Sequence, residues 1–319
     1  MTEIKITMLG PSSVGKTSLL TAMYEQFKDV ASGTRLQLTP VGDSGILLQD
    51  RLSELKNLPD TFTSIKAEGG ISNSNKVSVF KFDLGKRGKN NSLLTLQFLD
   101  YPGGYHKDKQ EYLTQQLTEC VAVLVAIDAT ALMEEGGRWH DSVNRPQQIT
   151  ELFENTYINL DSPRLVILAP VKCEKYLQDS ESLRKLHKAI RESYKNLLNH
   201  LRSEELLTKV AVVVTPVQTV GSVFFSRIDV IEESPQFVFR KPNAAAKYNP
   251  KGSEQPLRYL LSFLLKRYDE QRAWGFFKLI LALLNRDTEF KDAIRQFTFA
   301  CVRDSSSEVV QGQLLLTVD

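Results

Sequence analysis

Gly10-Pro11-Ser12-Ser13-Val14-Gly15-Lys16-Thr17-Ser18 is the stretch on which the fold turns. Two glycines flank four residues, and a lysine and a hydroxyl side chain follow, the spacing of a loop that cradles phosphate. Glycine lets the backbone turn its N–H groups towards phosphate oxygens. Lys16 brings a point charge for β- and γ-phosphates, and the Thr17 hydroxyl a ligand for Mg²⁺. Ser12, Ser13, Val14 and Ser18 complete the cradle. The context agrees: residues 3–9 read as a strand with Ile4, Ile6 and Met8 on one face, and residues 16–27 as a helix. The positive N-terminal end of that helix would point at the anion.

Apolar runs recur beyond the loop. Residues 120–127 (CVAVLVAI), 164–169 (RLVILA) and 210–214 (VAVVV) are continuously apolar, as strands covered on both faces should be. Helical patterns fall at 45–57, 108–118, 146–158 and 180–202. Such alternation predicts a three-layer α/β fold with a mostly parallel sheet. Strands at 76–84 and 92–99, joined by the hydrophilic turn GKRGKNN, supply one antiparallel edge. Past residue 215 the pattern changes to some forty residues rich in Pro, Asn and Ser, read as loop. Helices over 255–271 and 274–298 and a mobile or strand-like tail complete the chain. The expected organisation is a nucleotide domain over 1–220, with an insertion at 29–75, and a loop and helical extension over 221–319 packed on it.

Composition excludes several classes. Forty basic residues stand against 38 acidic ones, a formal charge of +2, which argues against a nucleic-acid coat or a polybasic membrane surface. Cys120, Cys173 and Cys301 form no pair at metal or disulfide spacing, and the histidines show no zinc pattern. Reduced thiols and the absence of a signal-peptide pattern at the N-terminus predict a cytoplasmic protein. The most apolar stretch, 274–284, is too short to span a bilayer and carries Lys278.

A second motif reinforces the first. Leu94-Thr-Leu-Gln-Phe-Leu99-Asp100-Tyr101-Pro102-Gly103-Gly104 is an apolar strand ending in Asp, with glycine three positions on. It sets a carboxylate near the Mg²⁺ shell and a Gly103 N–H where a γ-phosphate can be sensed. On these two motifs, GPSSVGKT and DYPGG, the chain resembles the Ras-like (TRAFAC-class) P-loop GTPases over about residues 3–220. The resemblance implies GTP/GDP and Mg²⁺ as ligands and a protein partner or effector.

It also locates departures. The family often carries glutamine after the DxxG glycine to orient the attacking water; Gly104 stands there, with His106 and Gln110 as nearby candidates. Where the family reads guanine with Asn-Lys-x-Asp, this chain has Val171-Lys172-Cys173-Glu174. Lys172 would lie along the base, and Glu174 would accept from guanine N1 and the 2-amino group, donors adenine does not pair in that way. A helix-cap role is the rival for Glu174. For the switch threonine on Mg²⁺ the candidates are Thr61, Thr63 and Thr39, each equally a turn residue. In the family the loop after the last strand touches the base through backbone N–H groups, here those of Thr215 and Gln218, with a simple strand-to-loop exit as the rival reading.

The set DYPGG, VKCEKY, TPVQTVG and EQPLRYLL is similar, more narrowly, to the bacterial double-GTPase type. The leading functional reading is therefore a GTPase switch with slow intrinsic hydrolysis. A non-hydrolysing nucleotide-sensing scaffold and an ATP-binding NTPase are its rivals.

Overall fold

The computed structural model describes residues 2–58, 65–66, 77–89, 92–101, 110–243, 245–269, 287–299 and 306–316. Thr61, Thr63, Gly103, Gly104, His106, Cys301 and the stretch 274–284 lie outside them.

An eight-stranded sheet forms the middle layer. At its centre β8 (Val210–Val214), β7 (Arg164–Val171), β6 (Ala122–Asp128), β1 (Thr2–Leu9) and β5 (Ser92–Asp100) run parallel, in that order. The strand expected at the antiparallel edge, β4 (Ser78–Lys86), pairs antiparallel with β5 but lies one strand in from the edge. Two further antiparallel strands extend the sheet, β2 (Leu36–Val41) beside β4 and β11 (Glu308–Gln311) beside β8. The proposed insertion thus contributes a strand to the sheet.

Continuous apolarity in the central strands reflects burial on two sides. Along β6, Ala122, Leu124 and Ala126 enter one core, while Val123, Val125 and Ile127 enter the other. The first core is closed by α1 (Lys16–Val30), α9 (Gln255–Asp269) and α10 (Thr288–Thr298), through residues such as Phe27, Phe263 and Phe297. The second is closed by α3 (Gln110–Glu119), α6 (Pro146–Thr156), α7 (Ser180–Ser193) and α8 (Lys195–Leu201), including Phe153 and Ile190. The stretch expected as one helix over 180–202 is thus two, parted at Tyr194.

The loop expected after residue 215 contains a β-hairpin instead. β9 (Phe224–Ile231) and β10 (Ser234–Arg240) pair antiparallel, and β3 (Ile65–Lys66) adds a third strand. The turn residues Glu232 and Glu233 both have positive φ, 48° and 62°. Tight hairpins need that geometry, but Asn and Gly usually mark it, so the sequence carried no turn signal. Its partly exposed strands also mix polar and apolar residues, which blurs the two-residue period.

Helices α2 (Ser44–Asn57), α4 (Ala129–Met133) and α5 (His140–Asn144) complete the described elements used below. A third, smaller apolar cluster joins Leu55 of α2 and Ala131 of α4 to Val220, Val223, Phe237 and Phe239. It sets the hairpin against α2 at the carboxyl end of the sheet.

Candidate functional site

The chain leaves β5 and crosses to β6, on the opposite side of β1. Open parallel sheets form their ligand crevice at such a reversal, beyond the carboxyl ends of the strands. The register brings the relevant ends together: Met8 pairs with Asp100, Leu9 with Val125, Val125 with Leu168, and Leu168 with Val214.

Gly10 follows β1 with φ at 136°, and a Cβ there would stand 2.7 Å from the carbonyl oxygen of Ala126. Only glycine passes that close to β6 in that conformation. Ser13 (φ 65°) and Gly15 (φ 112°) keep the loop turning until α1 begins at Lys16. Gly15 caps α1 without a side-chain acceptor, and the first helical bond runs from the Leu19 N–H to the Gly15 carbonyl. The N–H groups of Lys16, Thr17 and Ser18 therefore precede the helical ladder, the arrangement that receives an anion.

Lys16 is buried, and its ammonium folds back to donate to the carbonyls of Gly10 (2.9 Å) and Pro11 (3.1 Å). It also lies 3.7 Å from Asp100 Oδ1. Burial lowers the Lys16 pKa, with the Asp100 charge opposing. Burial likewise raises that of Asp100, against the pull of Lys16 and the Thr17 hydroxyl. Thr17 Oγ1 donates to Asp100 Oδ2 at 2.8 Å, so residues 83 positions apart present hard oxygens side by side.

The candidate base site lies past β7. Glu174 is 2% exposed, and its Oε1 accepts from the backbone N–H groups of Val220 (2.9 Å) and Gly221 (3.0 Å). Burial raises its pKa, and those two hydrogen bonds work the other way. The carboxylate thus ties the segment after β7 to the segment after β8. Asp179, by contrast, caps α7, taking the role weighed for Glu174. Lys172 has φ at 60° and donates to Asp128 Oδ2 at 2.5 Å, with its ammonium 5.9 Å from the Phe239 ring centre. Asp128 also caps α4 through the N–H groups of Thr130 and Ala131. Val171 faces the glycine loop: a Cβ at Gly15 would lie 3.8 Å from its Cγ2.

Thr215 and Gln218, the expected base contacts, follow β8. Both backbone N–H groups are engaged within the fold, Thr215 on the Leu168 carbonyl and Gln218 on that of Lys251. Thr215 keeps a buried hydroxyl with no hydrogen-bond partner among the described residues. Thr39 lies exposed on β2, opposite Asp83, whereas Asp100 faces Ser78 five residues along β4. That separates Thr39 from the Thr17–Asp100 pair by two strands and about 16 Å along them. Gln110 opens α3, its side chain outside the described residues.

Sequence reasoning missed Asp128, which ends β6 as Asp100 ends β5. It missed Arg51 of α2 as well, whose Nη2 and Nε donate to Ser18 Oγ at 2.6 and 3.0 Å. An acid closing an apolar run was a readable signal for the first. Nothing local marks the second.

No protein-family model matches the chain, and no curated protein does. Among solved structures, it is similar to the GTPase-like domain of Ski7 from S. cerevisiae, bound to GTP. Identity is 16% and the TM-score 0.36, over 67% of this chain and 43% of that one, less than half its length. It is similar also to an ADP-ribosylation factor-like GTP-binding protein, the small COPII coat GTPase SAR1 from Encephalitozoon cuniculi, in complex with GDP. There identity is 13% and the TM-score 0.33, over 68% of this chain and 69% of that one.

Proposed function

We propose that the chain is a Mg²⁺-dependent guanine-nucleotide-binding protein acting as a switch with slow intrinsic GTP hydrolysis. The observation that carries this reading is the grouping of Lys16, Thr17 and Asp100 behind a glycine loop at the start of α1. The loop and the helix N-terminus suit phosphates, and Lys16 supplies a cation that leaves its loop carbonyls for them. Thr17 and Asp100 are hard oxygen donors that fit Mg²⁺. When bound, Mg²⁺ supplies neutralisation of phosphate charge.

Glu174 supports guanine over adenine. One carboxylate oxygen organises the loop, and the proposal assigns the other as acceptor for a purine that offers two donors. Slow hydrolysis follows from Gly104 in place of glutamine, and the segments 58–70 and 100–112 are the proposed switches. The narrower resemblance to double-GTPase type proteins makes a protein partner part of the reading, in the cytoplasm. No helix among the described residues is long and apolar enough to cross a membrane. Residues 221–319 act as an extension of the nucleotide domain, since α9 and α10 enter the same core as α1.

Titration with fluorescent GTP, GDP and ATP analogues, with Mg²⁺ or with EDTA, tests the proposal. Guanine nucleotides bind preferentially, and Lys16→Ala weakens them about 100-fold or more, as loss of a charge-assisted contact requires. Binding that ignores Lys16 removes the phosphate assignment. Equal ATP binding moves the protein to an ATP-dependent class, and binding without turnover in any partner's presence leaves a sensing scaffold.

A further inference from the structure

Arg51 is brought from the inserted helix α2 onto Ser18, the third residue of α1. Ser18 itself is 5% exposed, and the Arg51 side chain 19%. The guanidinium directs two of its donors at the Ser18 hydroxyl, while Nη1 turns to Glu54 one turn along α2. This is an awkward place for a cation. The N-terminus of α1 is the positive end of its dipole, and Lys16 already lies buried there. Asp100, the acid at hand, is engaged by Lys16 and Thr17. The carboxylate on Arg51, Glu54, is half-exposed and sits on the side away from Ser18.

Lys16 and Arg51 are answered by Asp100 and Glu54, so the helix dipole is what stays uncompensated, and an anion at the start of α1 would compete with the exposed Glu54 for the Arg51 guanidinium. The N–H of Ser18 belongs to the set that precedes the helical ladder, and in a phosphate loop such groups cradle the α- and β-phosphates. We propose that Arg51 contacts the α-phosphate of the bound nucleotide, with Ser18 holding its guanidinium in position. The inference rests on the nucleotide-binding reading and deepens it. It makes the inserted helix part of the binding site and assigns it a contact that GDP and GTP share. Arg51 therefore strengthens both nucleotides alike and leaves the distinction between them to the γ-phosphate end. The planar fork of arginine suits such a contact better than a lysine ammonium does.

The test compares wild type, Arg51→Ala, Arg51→Lys and Lys16→Ala for GDP and GTP affinity, with ³¹P NMR of bound GDP and thermal melting of each free protein. Arg51→Ala weakens GDP and GTP by a similar factor, about tenfold. The α-phosphate resonance moves while the β-resonance stays near its wild-type position, and Arg51→Lys recovers part of the affinity. Unchanged affinity and an unchanged α-resonance, with only a lower melting temperature, would make Arg51 a staple between α1 and α2 and overturn the inference. If Lys16→Ala loses binding and Arg51→Ala does not, the nucleotide reading stands and the inference falls. Absence of nucleotide binding by wild type removes both.

Discussion

Glu174 ties two segments of the fold together and is also the proposed contact to the base. Its Oε1 satisfies two backbone N–H groups, so Glu174→Ala orphans both and costs about 1–3 kcal/mol for each. Glu174→Gln keeps an amide oxygen for that task but sets a donor where a guanine would offer its own. The Gln variant should keep stability within about 1 kcal/mol of wild type and lose guanine preference; retained preference would move base recognition elsewhere. The raised pKa adds a pH signature. A carboxyl that holds its proton more tightly folded than unfolded contributes stability below the ordinary carboxylate range. That contribution is lost as pH rises through the raised value. Asp100 works in the same direction, so the free protein's resistance to urea should fall with rising pH, and Glu174→Gln should make that slope shallower. A slope identical to wild type counts against the burial argument.

At the scale of elements, the segment leaving β8 is built by stitching. Val217 N–H donates to Pro170, Cys173 N–H to Val217, and Gln218 and Lys251 exchange both bonds. Gly221 is where this packing is tightest: its φ is 76°, and a Cβ would fall 1.6 Å from the Asn249 carbonyl oxygen. Gly221→Ala must therefore displace backbone, which pulls its own N–H off Glu174. Loss of at least about 2 kcal/mol in urea unfolding is expected, together with weaker guanine discrimination. A variant as stable as wild type would show that the 249–250 segment yields freely. Elsewhere short elements escaped sequence reading because their signals were weak. The hairpin turn uses two glutamates at positive φ, and α4 and α5 are too short to show a period.

The whole molecule is a sheet with a separate core on each face, and its site lies at one end of the strands, away from most of that apolar mass. Phe153 of α6 is fully buried, edge-on to Tyr157 at 4.9 Å. Phe153→Ala should lower stability by about 3–5 kcal/mol through lost burial and the cavity left behind. Nucleotide affinity at saturating protein stability should barely change, since the residue belongs to the core remote from the loop's helix α1. A parallel loss of affinity, measured well below the melting temperature, would show that the two faces are coupled.

Sequence alone determined what local chemistry and periodicity encode. The glycine turn between β1 and α1, the strand that ends at Asp100 and the doubly covered strands were all legible, because glycine spacing and unbroken apolar runs have few other physical uses. Tertiary structure decided the rest. That Thr17 and Asp100 meet, that Asp128 holds Lys172, and that Arg51 reaches Ser18 depend on strand order and helix placement across dozens of residues. The segment after β8 shows the limit most clearly: the N–H groups of Thr215 and Gln218 pair with Leu168 and Lys251, and no local pattern indicates it. Whether a donor remains open to a ligand is settled only when the folded chain has taken the partners it needs.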